Sequence, residues 1–132
     1  MTIEQHTQSV LTASAALVAL VPASRIKVPG EWQNLDAPYV IHFPVSIEPV
    51  RSHEGLEPMR FWDYYQVSVF APTYSAGRAV CDAVIAALDG WHGGVHYASR
   101  SGTFWAGRDP DVELEHFVLN FRVAEALNLS PV

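Results

Sequence analysis

Arg60-Phe61-Trp62-Asp63-Tyr64-Tyr65-Gln66-Val67-Ser68-Val69-Phe70-Ala71 is the stretch that decides the fold. Phe61, Asp63, Tyr65, Val67 and Val69 alternate with Trp62, Tyr64, Gln66, Ser68 and Phe70, the period-two pattern of a β-strand. Aromatic side chains stand on both sides, so neither face of this strand is simply solvated. Pro72 ends it. The period then changes. Across 74–88, Gly77, Cys81, Val84, Ile85 and Leu88 share one side of a helix, which Asp89-Gly90 closes.

Upstream, Thr2 followed three residues later by Gln5 is a capping-box start. Val10, Ser14, Leu17, Val18 and Val21 fall at helical spacing and Pro22 stands where a helix stops, which predicts a first helix over about 3–20. Its second half is apolar nearly all round and is expected to be buried on several sides, by its own sheet or by a neighbouring subunit. Residues 25–28 form a short strand candidate and 29–37 a loop. Pro38-Tyr39-Val40-Ile41-His42-Phe43 is a strand entered through proline. Residues 47–59 hold Arg51, His53, Glu54 and Glu57 among Pro49, Gly55 and Pro58, the composition of an exposed, mobile loop.

Downstream, 91–98 and 103–106 read as short strands around a Ser99-Arg100-Ser101-Gly102 turn. Residues 107–111 read as a further turn and 112–123 as the final strand. There is no internal repeat. The order helix, strands, helix, strands describes a single α+β domain, a mostly antiparallel sheet with two main helices packed against it.

With 132 residues, 49% of them hydrophobic and 17% charged, the chain can bury its own core and lies far from disordered compositions. Fourteen acidic side chains against eight basic ones give a formal charge of −6, and Lys27 is the only lysine. The arginines are scattered, which argues against a site that grips the phosphate backbone. A single cysteine, Cys81, excludes an internal disulfide or a Cys-rich zinc site and fits a reducing compartment. The apolar run from Val10 to Val21 lacks the preceding positive charge of a signal peptide and falls short of the ~20 residues that span a bilayer. A soluble intracellular protein with no membrane partner is expected.

Few residues carry a chemical signal. His92 and His96 would share a strand face, but two imidazoles without a third ligand do not define a metal site. Asp82 and Asp89 read as a solvated helix face. Asp109, Asp111, Glu113 and Glu115 would all point one way on a strand, where like charges repel unless solvent or a cation relieves them. Their spacing is not that of a calcium loop. They read either as a solvated acidic edge or as an electronegative surface lining a cavity or facing a basic partner. Beyond Glu115 the odd positions turn apolar (Phe117, Leu119, Phe121, Val123), which fits a bulge near His116 or a strand whose halves face different environments. Nucleophile elbows, phosphate-cradling loops and dinucleotide fingerprints are missing. No catalytic residue, cofactor or metal is expected, and such a chain works by contact.

The layout resembles the tail terminator, or tail completion, family of long-tailed bacteriophages and prophage-like particles. The residues that carry the resemblance are Arg25-Ile26-Lys27-Val28, Pro38-Tyr39-Val40-Ile41, and Tyr65-Gln66-Val67-Ser68-Val69-Phe70-Ala71. They continue in a helix opening Tyr74-Ser75-Ala76-Gly77-Arg78-Ala79-Val80 and closing Ala86-Ala87-Leu88-Asp89-Gly90. The resemblance spans about 3–125, although 91–111 matches no family motif. It implies a virion protein, present in host cytoplasm during assembly, that forms a hexameric ring at the head-proximal end of the tail tube. Such a ring stops tube polymerisation and presents a surface to the head-side connector or stopper protein. In that setting the 47–59 loop is the candidate for docking on the tube protein or connector. Asp109, Asp111, Glu113 and Glu115 are the candidate lumen stripe past which DNA slides without being held. Two alternatives stand beside it. One is a different neck component, such as a head-closure or connector ring. The other is a small α+β ligand-binding domain or enzyme with a cleft lined by Trp62, Tyr64, Trp91 and Trp105.

Overall fold

The structure is a computed structural model and describes residues 2–30, 36–47, 59–89 and 95–126. Helix α1 (Ile3–Thr12) begins with the capping box: Gln5 N donates to Thr2 Oγ1 at 3.1 Å and Thr2 N to Gln5 Oε1 at 2.9 Å. The helix expected to run unbroken to residue 20 instead stops at Thr12. Ser14 leaves the helical conformation and turns its hydroxyl to the Leu17 N–H, capping a second helix, α2 (Ala15–Leu20). Serine inside an apolar run competes for backbone groups in this way. Within the chain itself this half is buried on one side only. Within α2 only Leu17 is buried, while Ala15, Ala16, Ala19 and Leu20 face outward.

A 3₁₀ turn at Ala23–Arg25 leads into β1 (Ile26–Lys27), and β2 (Tyr39–Ile47), β3 (Met59–Ala71), α3 (Tyr74–Leu88), β4 (Val95–Asp109) and β5 (Leu114–Ala126) follow. The five strands form one sheet in the order β1-β2-β3-β5-β4, antiparallel except for the β1–β2 pair. This is the expected α+β class. Strand β2 runs through Pro44, past its expected end at Phe43. It can do so because β1 pairs only with Val40 and Ile41, which leaves β2 as an edge beyond them.

The segments expected as two short strands around a 99–102 turn are one strand, β4, with a register shift between Ser99 and Thr103. A second shift lies between Trp105 and Gly107, where Gly107 adopts φ +113°, a conformation that a side chain disfavours. The bulge expected near His116 thus lies opposite it, on β4. The final strand starts at Leu114, not at Val112. Residues 110–113 form the turn, closed by Glu113 N donating to Asp109 O at 2.7 Å and Asp111 N to Asp109 Oδ1 at 2.9 Å. Parity along β5 is therefore constant: Glu115, Phe117, Leu119, Phe121 and Val123 are all buried.

These residues meet α1 and α3 on one face of the sheet. Val40, Tyr65, Val67 and Val69 join Leu11, Leu17, Val80, Val84 and Leu88 in a single core. Helix α3 is capped by Thr73, whose hydroxyl accepts from Ala76 N at 3.1 Å. It approaches the sheet at Gly77, where a Cβ would overlap the Phe117 ring.

Candidate functional site

Two polar networks tie α1 to the sheet through this core. Gln8 Nε2 donates to Ile26 O at 2.7 Å, which turns Gln8 Oε1 toward His42 Nε2, also at 2.7 Å. That oxygen only accepts, so His42 carries its proton on Nε2, and Nδ1 accepts from the Tyr65 hydroxyl at 2.7 Å. Burial lowers the His42 pKa to about 4 and pushes the Tyr65 phenol well up, so both groups are neutral near pH 7. Beside them Thr7 Oγ1 donates to Ile3 O and takes the Tyr97 hydroxyl as its donor, both at 2.8 Å. Each of these side-chain polar atoms has a structural partner. An open groove of about 870 Å³ lies between α1 and β2, lined by Glu4, Gln5, Gln8, Pro29, Phe43 and Pro44.

The opposite face of the sheet carries no helix among the described residues. A row of rings crosses it in register, Tyr39 on Phe70 at 4.8 Å and Phe70 on His116 at 4.3 Å, the last pair within 7° of parallel. Strand β3 is thus two-sided, as its sequence implies. Burial lowers the His116 pKa, opposed by the Asp109 carboxylate, and burial together with Asp109 raises that of Tyr39.

The four acids expected to form one strand stripe are divided by the fold. Asp109 ends β4, Asp111 and Glu113 sit in the exposed turn, and Glu113 has φ +57°. Glu115 is buried on the helix-bearing face, where it accepts from Arg108 Nη1 at 2.5 Å and Trp105 Nε1 at 3.1 Å. A stripe is ruled out because Pro110 and the turn break the alternation that would align them. Arg51, His53, Glu54 and Glu57 lie outside the described residues, in the connection between β2 and β3, and Trp91 and His92 lie outside them between α3 and β4. The aromatic cleft does not form from its described members. Trp105 pairs with Phe117 on the helix-bearing face, whereas Tyr64 is exposed at a register shift of β3 against β5. Among the described residues no group of three His, Cys, Asp or Glu side chains could hold a metal ion, and no helix is long and apolar enough to cross a membrane.

What the fold does expose is a set of large apolar side chains. Leu20, Tyr74, Trp105 and Val112 are between 42% and 54% exposed, and Tyr74 meets Trp105 edge-on at 6.0 Å. Residues 7–126 match the family described as Tail completion protein gp17. The chain belongs to the tail completion protein family. It is a structural protein of the virion tail, not an enzyme. A chain from the "Virion of native gene transfer agent (GTA) particle" has the same fold, with a TM-score of 0.65, 21% identity and 94% of each chain covered. No curated protein matches the tail completion protein.

Proposed function

We propose that this tail completion protein is the tail terminator: six copies close a ring on the head-proximal end of the tail tube, stop its growth and offer the joining surface to a head-side connector or stopper. The observation that carries the reading is the set of half-exposed apolar and aromatic side chains on a single chain, Leu20, Tyr74, Trp105 and Val112, in a member of a tail family. Trp and Tyr half-exposed on rigid elements are the residues that anchor protein interfaces. The similar fold of a chain from a gene transfer agent virion supports a place in an assembled particle. Six copies of a −6 chain carry a formal −36, which repels the phosphates of DNA passing through the ring and lets it slide.

Native mass measurement and negative-stain imaging of the chain, alone and with tail tubes, test the ring. Rings of six that cap the tubes are expected. A chain that remains monomeric in the presence of tubes overturns the reading.

The 47–59 connection is the joining element in this proposal, because it links two rigid strands and carries charges of both signs. Deleting residues 52–57 is expected to leave the ring intact and to reduce joined particles by roughly tenfold or more, the scale of losing an interface anchor. Joining at the level of the intact chain would remove the docking role.

A further inference from the structure

The sheet is electrically lopsided. At one edge, β1 and the turn before it carry Arg25 and Lys27, and neither forms an ion pair with a carboxylate among the described residues. At the other edge the β4–β5 turn carries Asp111 and Glu113, both exposed, with Asp109 at its base. Arg108, the one arginine beside that turn, is taken by Glu115.

The register places these two groups at the same end of the strands. Ile26 pairs with Val40, Val40 with Val69, Val69 with Phe117, and Phe117 with Trp105, a single row across all five strands. Arg25 and Lys27 flank this row at one edge. The acidic turn follows a few residues beyond Trp105 at the other. Each group also has an exposed aliphatic side chain close in sequence, Leu20 before Arg25 and Val112 between Asp111 and Glu113.

We infer that copies of this chain join head to tail through these unlike edges, the Arg25–Lys27 edge of one copy seating on the Asp111–Glu113 turn of the next. The inference rests on the ring reading above and names the surfaces that meet. A contact between two different patches of identical chains is heterologous, and it closes into a ring when successive copies are related by rotation without a rise. With the strands running along the ring axis, patches at the same end of the strands meet without a rise, whereas patches at opposite ends would stagger the copies into a helix. Opposite charge steers the encounter and rejects like-edge pairing, while Leu20 and Val112 supply the apolar contact. The acidic turn accordingly faces a basic neighbour at the seam between subunits instead of lining the lumen.

A lone lysine makes the test clean. A zero-length carbodiimide crosslinker joins an amine to a carboxylate already in contact, and Lys27 is the only lysine in the chain. Applied to the full-length ring, it is expected to give covalent multimers whose peptide maps join Lys27 to Asp111 or Glu113, and Lys27→Gln should lose this link. The double variant Arg25→Glu, Lys27→Glu should raise the concentration needed for assembly by roughly tenfold, the scale of lost interfacial charge pairing. Adding Asp111→Lys and Glu113→Lys should restore most of it. A ring whose Lys27 reacts elsewhere, or that is indifferent to the charge reversal, overturns the edge assignment and leaves the ring reading standing. A chain that forms no ring, even on tail tubes, fails the ring reading and takes the edge assignment with it.

Discussion

Gly77→Val is expected to lower the unfolding free energy by about 3 kcal/mol or more, the upper range for forcing atoms into a packed core. Even a Cβ at this position would overlap Phe117 Cε1 and stand 2.7 Å from Cδ1. The ring has nowhere to retreat. Phe117 is fully buried, pairs across the sheet with Val69 and Trp105, and has Tyr74 against it at 5.2 Å. Valine adds two further methyl groups and the χ1 restriction of a β-branched residue in a helix. At several degrees per kcal/mol for a domain of this size, the midpoint should fall by roughly 10–20 °C. Gly77→Ala separates the two opposing effects. Helix propensity favours alanine by about 1 kcal/mol, while the overlap opposes it, and the overlap should win by about 1 kcal/mol. Thermal and urea unfolding followed by circular dichroism measures both variants. An alanine variant as stable as the parent would mean that the Phe117 ring yields, and the larger prediction would fall with it. Phe117→Leu should recover part of the loss in a double-mutant cycle.

That contact shows where sequence reading stops. The alternation in β3 and the shift of period into α3 are local patterns, and they are legible because packing rewards them residue by residue. Gly77 is visibly on the inner side of the helix. Its neighbour Phe117, 40 residues away, is not visible from that pattern. The same limit explains β4. Ser99 to Gly102 has the composition of a turn, yet pairing with β5 carries the strand through it by a register shift. Composition cannot report a partner strand. The acidic run shows a different failure, since a local signal was present and was outweighed. Asp109-Pro110 favours turn initiation, but the alternation of acids mimicked a strand. Glu115 looked like one more solvated acid until its place opposite Arg108 buried it. Ser14 was likewise hidden inside an apolar periodicity that the capping hydroxyl interrupts. The assembly surface was legible only as an excess of apolar residues. Which of them stay open depends on which the core leaves out.

Acidification should reveal the buried histidine. Between pH 6.5 and about 4, stability is expected to fall by about 3 kcal/mol through His42 alone. The sign follows from linkage: His42 titrates at 6.5 when unfolded and at about 4 when folded, so in this window the unfolded chain binds more protons. At about 1.4 kcal/mol per pH unit of separation, the contribution is fully present above pH 6.5 and lost as the pH falls through 4. The structural reason is the fixed tautomer. Nε2 already donates to Gln8 and Nδ1 already accepts from Tyr65, so a second proton would point at a hydroxyl whose own hydrogen occupies that space. His116, also lowered by burial, acts in the same direction on the other face. The measurement is urea unfolding at half-unit steps from pH 7 to pH 4 for the parent and for His42→Gln. The variant cannot titrate at this position, so it should start lower at pH 7, having lost the Gln8–His42–Tyr65 chain, and decline less steeply. Parallel curves would show that His42 is not the group that titrates. If the pH slope vanishes while ring formation at pH 7 is retained, the network serves the fold of each subunit and not the seam between them.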